Sequence, residues 1–68
     1  MKASFGEILK ELRMEKGLGQ EQLAKAIAVS KGIISLWENG LREPTMTSLI
    51  ALADYFNVSI DFLVGRAI

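Results

Sequence analysis

Apolar residues recur along the chain at three- and four-residue spacing, broken at short intervals by cap and stop residues, and nowhere alternate as a strand would. The first stripe runs Phe5, Leu9, Leu12 and Lys16, with Glu7, Lys10, Glu11 and Glu15 facing solvent and Ile8 and Met14 beside it. It opens on Ser4-Phe5-Gly6-Glu7, where hydroxyl and carboxylate can each satisfy an orphan backbone N–H of the first turn, and stops at Gly17. A second helix over 20–28 turns Leu23, Ala24 and Ile27 inward and sets Glu21 one turn ahead of Lys25; Gly19 is its comparatively weak cap. Only Val29 and Ser30 separate it from a third helix over 31–39, which Ser30 caps and Gly40 ends. Two helices joined so tightly must cross steeply.

Beyond the loop 41–44, Thr45 caps a fourth helix with Leu49, Leu52, Ala53 and Phe56 inward, and Asn57 suits its left-handed end. Ser59 caps a last short turn over 60–64. Four of the starts carry an apolar pair where a staple would pack: Leu18 with Leu23, Val29 with Ile34, Pro44 with Leu49, and Val58 with Leu63. The pattern predicts an all-α, compact five-helix bundle in a single domain over 1–68, a length that buries only about 60% of the unfolded surface and leaves no room for a second core.

Composition narrows the chemistry. Half of the residues are apolar and 24% charged, an ordinary globular balance that predicts folding. Without cysteine or histidine there is no disulfide, no Cys/His zinc site, no thiol nucleophile and no imidazole base. No phosphate-cradling loop or paired carboxylates in a cleft replace them, so a non-enzymatic protein without a cofactor or metal is expected. No apolar run approaches the roughly 20 residues that cross a bilayer, and no secretory leader is visible, so the expected location is the cytoplasm with no membrane partner. Eight basic residues balance eight acidic ones, which argues against strong non-specific attraction to nucleic acid.

The informative stretch is 20–40. Ala24 lets two helix axes approach closely, Val29 plugs the turn, and Ile34 with Trp37 anchors the third helix so that its other face projects outward. With Leu12-Arg13 before Gly17-Leu18, Gln20 with Leu23-Ala24, Val29-Ser30, Ile34, Trp37-Glu38-Asn39-Gly40, Arg42-Glu43-Pro44 and the run from Ala53 to Ser59, the chain resembles the Cro/repressor-type, lambda repressor-like helix-turn-helix family over nearly all its length. The resemblance implies a helix-turn-helix in the second and third helices, the third entering the major groove of double-stranded DNA.

Carried over residue by residue, it implies that Gln20, Asn39 and Arg42 bond phosphates, which sets register. Base readout falls to Ser30, Lys31, Gly32, Ile33, Ser35 and Leu36. Here the chain departs from the family, which usually has long polar side chains where Gly32, Ile33 and Leu36 stand. Apolar contact with thymine methyl groups is one account of that departure, and a protein-facing surface is the other. Arg13 and Glu38 are implied to form a structural ion pair between the first and third helices. Phe62, Val64 and Ile68 are apolar beyond the needs of the core and imply a homodimer, with recognition helices about 34 Å apart on a palindromic operator. The expected function is a sequence-specific transcriptional regulator, most simply a repressor, with no small-molecule effector. The alternative is an antirepressor-like protein-interaction module on the same fold.

Overall fold

Short polar side chains set where the helices begin. The Ser4, Ser30, Thr45 and Ser59 hydroxyls accept from the backbone N–H three residues on, at 3.3, 3.2, 3.2 and 3.0 Å. At Gly19 the box is half made, with the glycine N–H donating to Gln22 Oε1 at 2.7 Å. The resulting elements, in a computed structural model that describes residues 4–66, are α1 (Phe5–Glu15), α2 (Gln20–Ala26), α3 (Lys31–Glu38), α4 (Met46–Phe56) and α5 (Ile60–Leu63). No strand occurs among the described residues.

All five helices end on the same pair of backbone bonds, six-to-one and five-to-two, which close the last turn and reverse the chain. In α3 these are Leu41 N–H to Leu36 O at 2.9 Å and Gly40 N–H to Trp37 O at 3.2 Å. In α2 they are Val29 N–H to Ala24 O at 2.9 Å and Ala28 N–H to Lys25 O at 3.4 Å. The second helix therefore ends at Ala26, two residues before the boundary expected from the sequence, and Ala28 takes the left-handed conformation with φ 61°. Alanine gives no sequence signal for that reversal. The turn between α2 and α3 is correspondingly 27–30.

One side chain from each helix is essentially sealed from solvent: Leu9, Leu23, Ile34, Leu52 and Leu63. Ile8, Ala24, Trp37, Leu49, Ala53 and Phe56 complete the core around them. Two positions on α1 correct the expected stripe. Ile8 is buried, whereas Lys16 is exposed at the helix end with its ammonium 5.1 Å from the centre of the Tyr55 ring. The rotation follows from Gly6, whose missing side chain brings α1 onto the end of α3; a Cβ there would lie 2.8 Å from the Glu38 carbonyl oxygen and closer still to that of Trp37. Phe5 meets Trp37 edge to face, ring centres 6.1 Å apart. No helix among the described residues is long and apolar enough to cross a membrane.

Candidate functional site

Helix α3 is amphipathic in the sense a recognition element requires. Ile34 and Trp37 are buried beneath it, while Lys31, Gly32 and Asn39 are exposed and Ser35 and Leu36 half-exposed along the opposite side. The helical period puts Gly32, Ser35, Leu36 and Asn39 on one outward row, with Ser30 and Lys31 at its start. Ile33 departs from that row. It is half-buried against the core and lines a cleft of about 190 Å³ with Val29, Thr45 and Ser48, where α3 meets the start of α4. Of the six residues expected to read bases, five share the open face and one leans towards α4.

Gly32 has no internal reason to be glycine. A Cβ built there meets nothing nearer than the Ser30 hydroxyl at 3.9 Å, and its φ is not left-handed. Glycine in place of alanine costs a helix interior about 1 kcal/mol, and less in the first turn, where Gly32 stands. The bare backbone is thus a feature of the outer surface, not of the packing.

The Arg13 and Glu38 side chains are 12% and 4% exposed and meet in a two-pronged pair, Nε to Oε2 at 2.7 Å and Nη2 to Oε1 at 3.1 Å. The third prong of the guanidinium donates to the Leu18 carbonyl at 2.8 Å, so Arg13 ties α1 and the α1–α2 loop to the end of α3. Glu38 holds the guanidinium pKa above its ordinary value, chiefly by accepting its hydrogen bonds. Gln20 joins the same cluster, its amide donating to Glu38 Oε1 at 3.1 Å. That bond was not foreseen from the sequence. It fixes the first residue of α2 against the last of α3 and leaves the second amide N–H free.

Asn39 similarly folds back, donating to Ser35 O at 2.9 Å and lying 3.4 Å from Ser35 Oγ. Arg42 is exposed in the loop 41–45 and forms no ion pair among the described residues, and neither does the adjacent Glu43. Near the C-terminus Phe62 is 41% exposed, whereas Val64 is half-buried against the core; Ile68 lies outside the described residues.

A profile of the helix-turn-helix family matches residues 9–63, which contain every element just described except the start of α1. The chain belongs to the helix-turn-helix family. Among its relatives, the HTH-type transcriptional activator BcrR of Enterococcus faecalis is 47% identical over 61 residues, 90% of this chain and 30% of that protein. The HTH-type transcriptional regulator ImmR of Bacillus subtilis is 33% identical over 63 residues, 93% and 50% respectively. The chain thus spans half or less of the length of these two relatives. Among solved structures, the P22 c2 repressor in complex with a synthetic operator superposes with a TM-score of 0.90 at 31% identity, covering 96% of this chain and 98% of that one.

Proposed function

We propose that this family member is a sequence-specific regulator of transcription that binds double-stranded DNA with α3 in the major groove and performs no chemistry. The observation that carries the reading is Gly32: a glycine that weakens its helix, relieves no internal contact and sits in the outward row is explained by close approach of an external surface. Base edges fit that role. Lys31 and Ser35 supply donors to them, and Leu36 supplies apolar contact for a thymine methyl. Gln20, Asn39 and Arg42 bracket the row and hold phosphates, Gln20 through the N–H that Glu38 leaves free. The similarity to the P22 c2 repressor, solved in complex with a synthetic operator, supports binding to DNA.

The described chain measures 30 × 23 × 23 Å, less than one turn of DNA, so each copy reads one half-site. A homodimer on a palindrome is the corresponding reading, with half-sites about 34 Å apart and exposed Phe62 available to it.

The test is selection of duplexes from a randomised pool, followed by titration of the best site. The expected result is a palindrome whose binding Lys31→Ala weakens, with log K falling against log salt at a slope of about −4 if each copy neutralises two phosphates through Lys31 and Arg42. Gly32→Ala should keep or raise thermal stability while weakening the selected site. Sequence-indifferent, weak retention in every condition would refute the reading and favour a protein-facing role for Leu36.

A further inference from the structure

Glu38 carries one bond more than its ion pair with Arg13 needs. Its Oε2 accepts from Arg13 Nε at 2.7 Å and its Oε1 from Arg13 Nη2 at 3.1 Å, and the same Oε1 accepts from Gln20 Nε2 at 3.1 Å. Gln20 is half-buried and opens α2, so this bond crosses 18 residues, from the first residue of one helix to the last of the next. The other N–H of its amide makes no hydrogen bond among the described residues.

The bond restricts the amide in two ways. A carboxylate only accepts, so the nitrogen edge of the Gln20 amide must face Glu38, and the flipped arrangement would set two oxygens against each other. The side chain is also held at its far end, which removes the rotamer freedom that glutamine otherwise keeps on a surface. Both restrictions are already imposed in the free protein. For a side chain of this kind the saving on binding corresponds to about two- to tenfold in affinity. What the held amide still offers is an N–H of fixed direction, which a phosphate oxygen accepts. Glu38 is itself anchored, because Arg13 also donates to the Leu18 carbonyl at 2.8 Å. A chain of bonds thus runs from the α1–α2 loop through Arg13 and Glu38 to the start of α2.

We propose that Glu38, held by Arg13, is a positioning residue for DNA binding, fixing the Gln20 amide with one N–H directed to a phosphate before the duplex arrives. The inference rests on the DNA-binding reading above and goes beyond it, giving an ion pair expected to be structural a part in phosphate recognition.

Single methylphosphonate substitutions along the selected duplex, each replacing one charged phosphate oxygen by a methyl group, test this in equilibrium binding. The phosphate that Gln20 holds is the one whose substitution costs the wild-type chain about tenfold and Gln20→Ala less than about twofold. Arg13→Met with Glu38→Met removes one charge of each sign, leaves no lone buried ion and should stay folded by circular dichroism. In this pair variant, affinity for the unmodified duplex should fall about three- to tenfold, and the cost at the Gln20 phosphate should shrink to about threefold or less. Costs at the other sensitive phosphates, and the preferred sequence, should stay as in wild type, which separates the positioning of one amide from a displaced α3. Side-chain 15N relaxation of Gln20 gives a reading on the unaltered chain: the amide should be as rigid free as it is in the complex. A wild-type chain with no Gln20-dependent phosphate, a pair variant with unchanged profile or with losses spread over every phosphate, or a Gln20 amide mobile until DNA binds would each overturn the inference and leave DNA recognition standing. A chain that selects no duplex would refute both.

Discussion

Replacing Arg13 by alanine isolates the cluster on which the seating of α3 depends. The guanidinium makes three hydrogen bonds, two to Glu38 at 2.7 and 3.1 Å and one to the Leu18 carbonyl at 2.8 Å. In its absence the Glu38 carboxylate, 4% exposed, retains only the Gln20 amide at 3.1 Å. Breaking one side of a pair this well buried costs about 3–5 kcal/mol, most of it the stranded charge. A chain of this length has about 3–10 kcal/mol in total, so the variant should lose between about a third and all of its stability at room temperature. The single tryptophan, Trp37, is 3% exposed and precedes Glu38, which makes urea unfolding followed by its fluorescence a direct readout. Removing both charges with Arg13→Met and Glu38→Met should recover all but about 1 kcal/mol, because no buried ion is then left alone. The raised Arg13 pKa adds no pH window in the usual range: its contribution is complete below the unfolded value and is lost only as pH rises through the higher folded one, in strong alkali. A loss below about 1 kcal/mol in Arg13→Ala would refute the reasoning and mean that solvent screens the pair as it does on an open surface.

Gly6→Ala should destabilise by about 1–3 kcal/mol despite the better helix propensity of alanine, because the added Cβ meets backbone carbonyls of α3 that cannot swing away; thermal unfolding would show a Tm lowered by at least about 4 °C. Ala28→Gly should act in the opposite sense, raising stability by about 0.5–1 kcal/mol in the same assay as the left-handed turn between α2 and α3 loses its steric penalty. Glu7 is held below the usual carboxylate range first by the Ser4 backbone N–H and then by its hydroxyl, so its contribution is present above the unfolded value and lost as pH falls through the folded one. Glu7→Gln should therefore lower Tm slightly near neutrality, with the difference from wild type closing in acid across a pH series of melts.

The elements were legible because their signals are local. Ser4, Ser30, Thr45 and Ser59 mark four starts through bonds to residues three positions on, and all four of those bonds are present. Where the structure departs from expectation, the cause is a partner distant in sequence. Ile8 and Lys16 exchange roles because Gly6 lets α1 roll onto Trp37 and Glu38, about thirty residues on. A glycine inside an otherwise sound helical stripe was the available signal for that approach. Ala28 had no comparable signal, since alanine is read as a helix former, yet it takes the left-handed conformation that reverses the chain. The same division runs through the site. Periodicity separates the outward row of α3 from its anchors, yet the leaning of Ile33 towards Thr45 and Ser48 depends on where α4 begins in space. The Gln20 amide bond to Glu38 likewise spans 18 residues and has no pattern in either helix alone.

The neutral charge of the chain, which at first counts against a nucleic-acid partner, has a different meaning once the cations are located. Among the described residues Arg13 is committed to Glu38, Lys16 lies over Tyr55, and Lys25 faces Glu21 at 3.9 Å, while Lys31 opens α3 and Arg42 follows its end. Few cations mean little counterion release and weak attachment to arbitrary sequence. Apolar contacts at Leu36, and the close approach that Gly32 permits, release no counterions and hold their strength as salt rises. Affinity for non-specific DNA and affinity for the operator then respond differently to ionic strength, and their ratio widens with salt to the extent that Leu36 and Gly32 carry the specific binding. A face of this composition discriminates through fit more than through attraction. The ratio, measured on the selected site and on a scrambled duplex at two salt concentrations, should rise in wild type and flatten in Leu36→Ala.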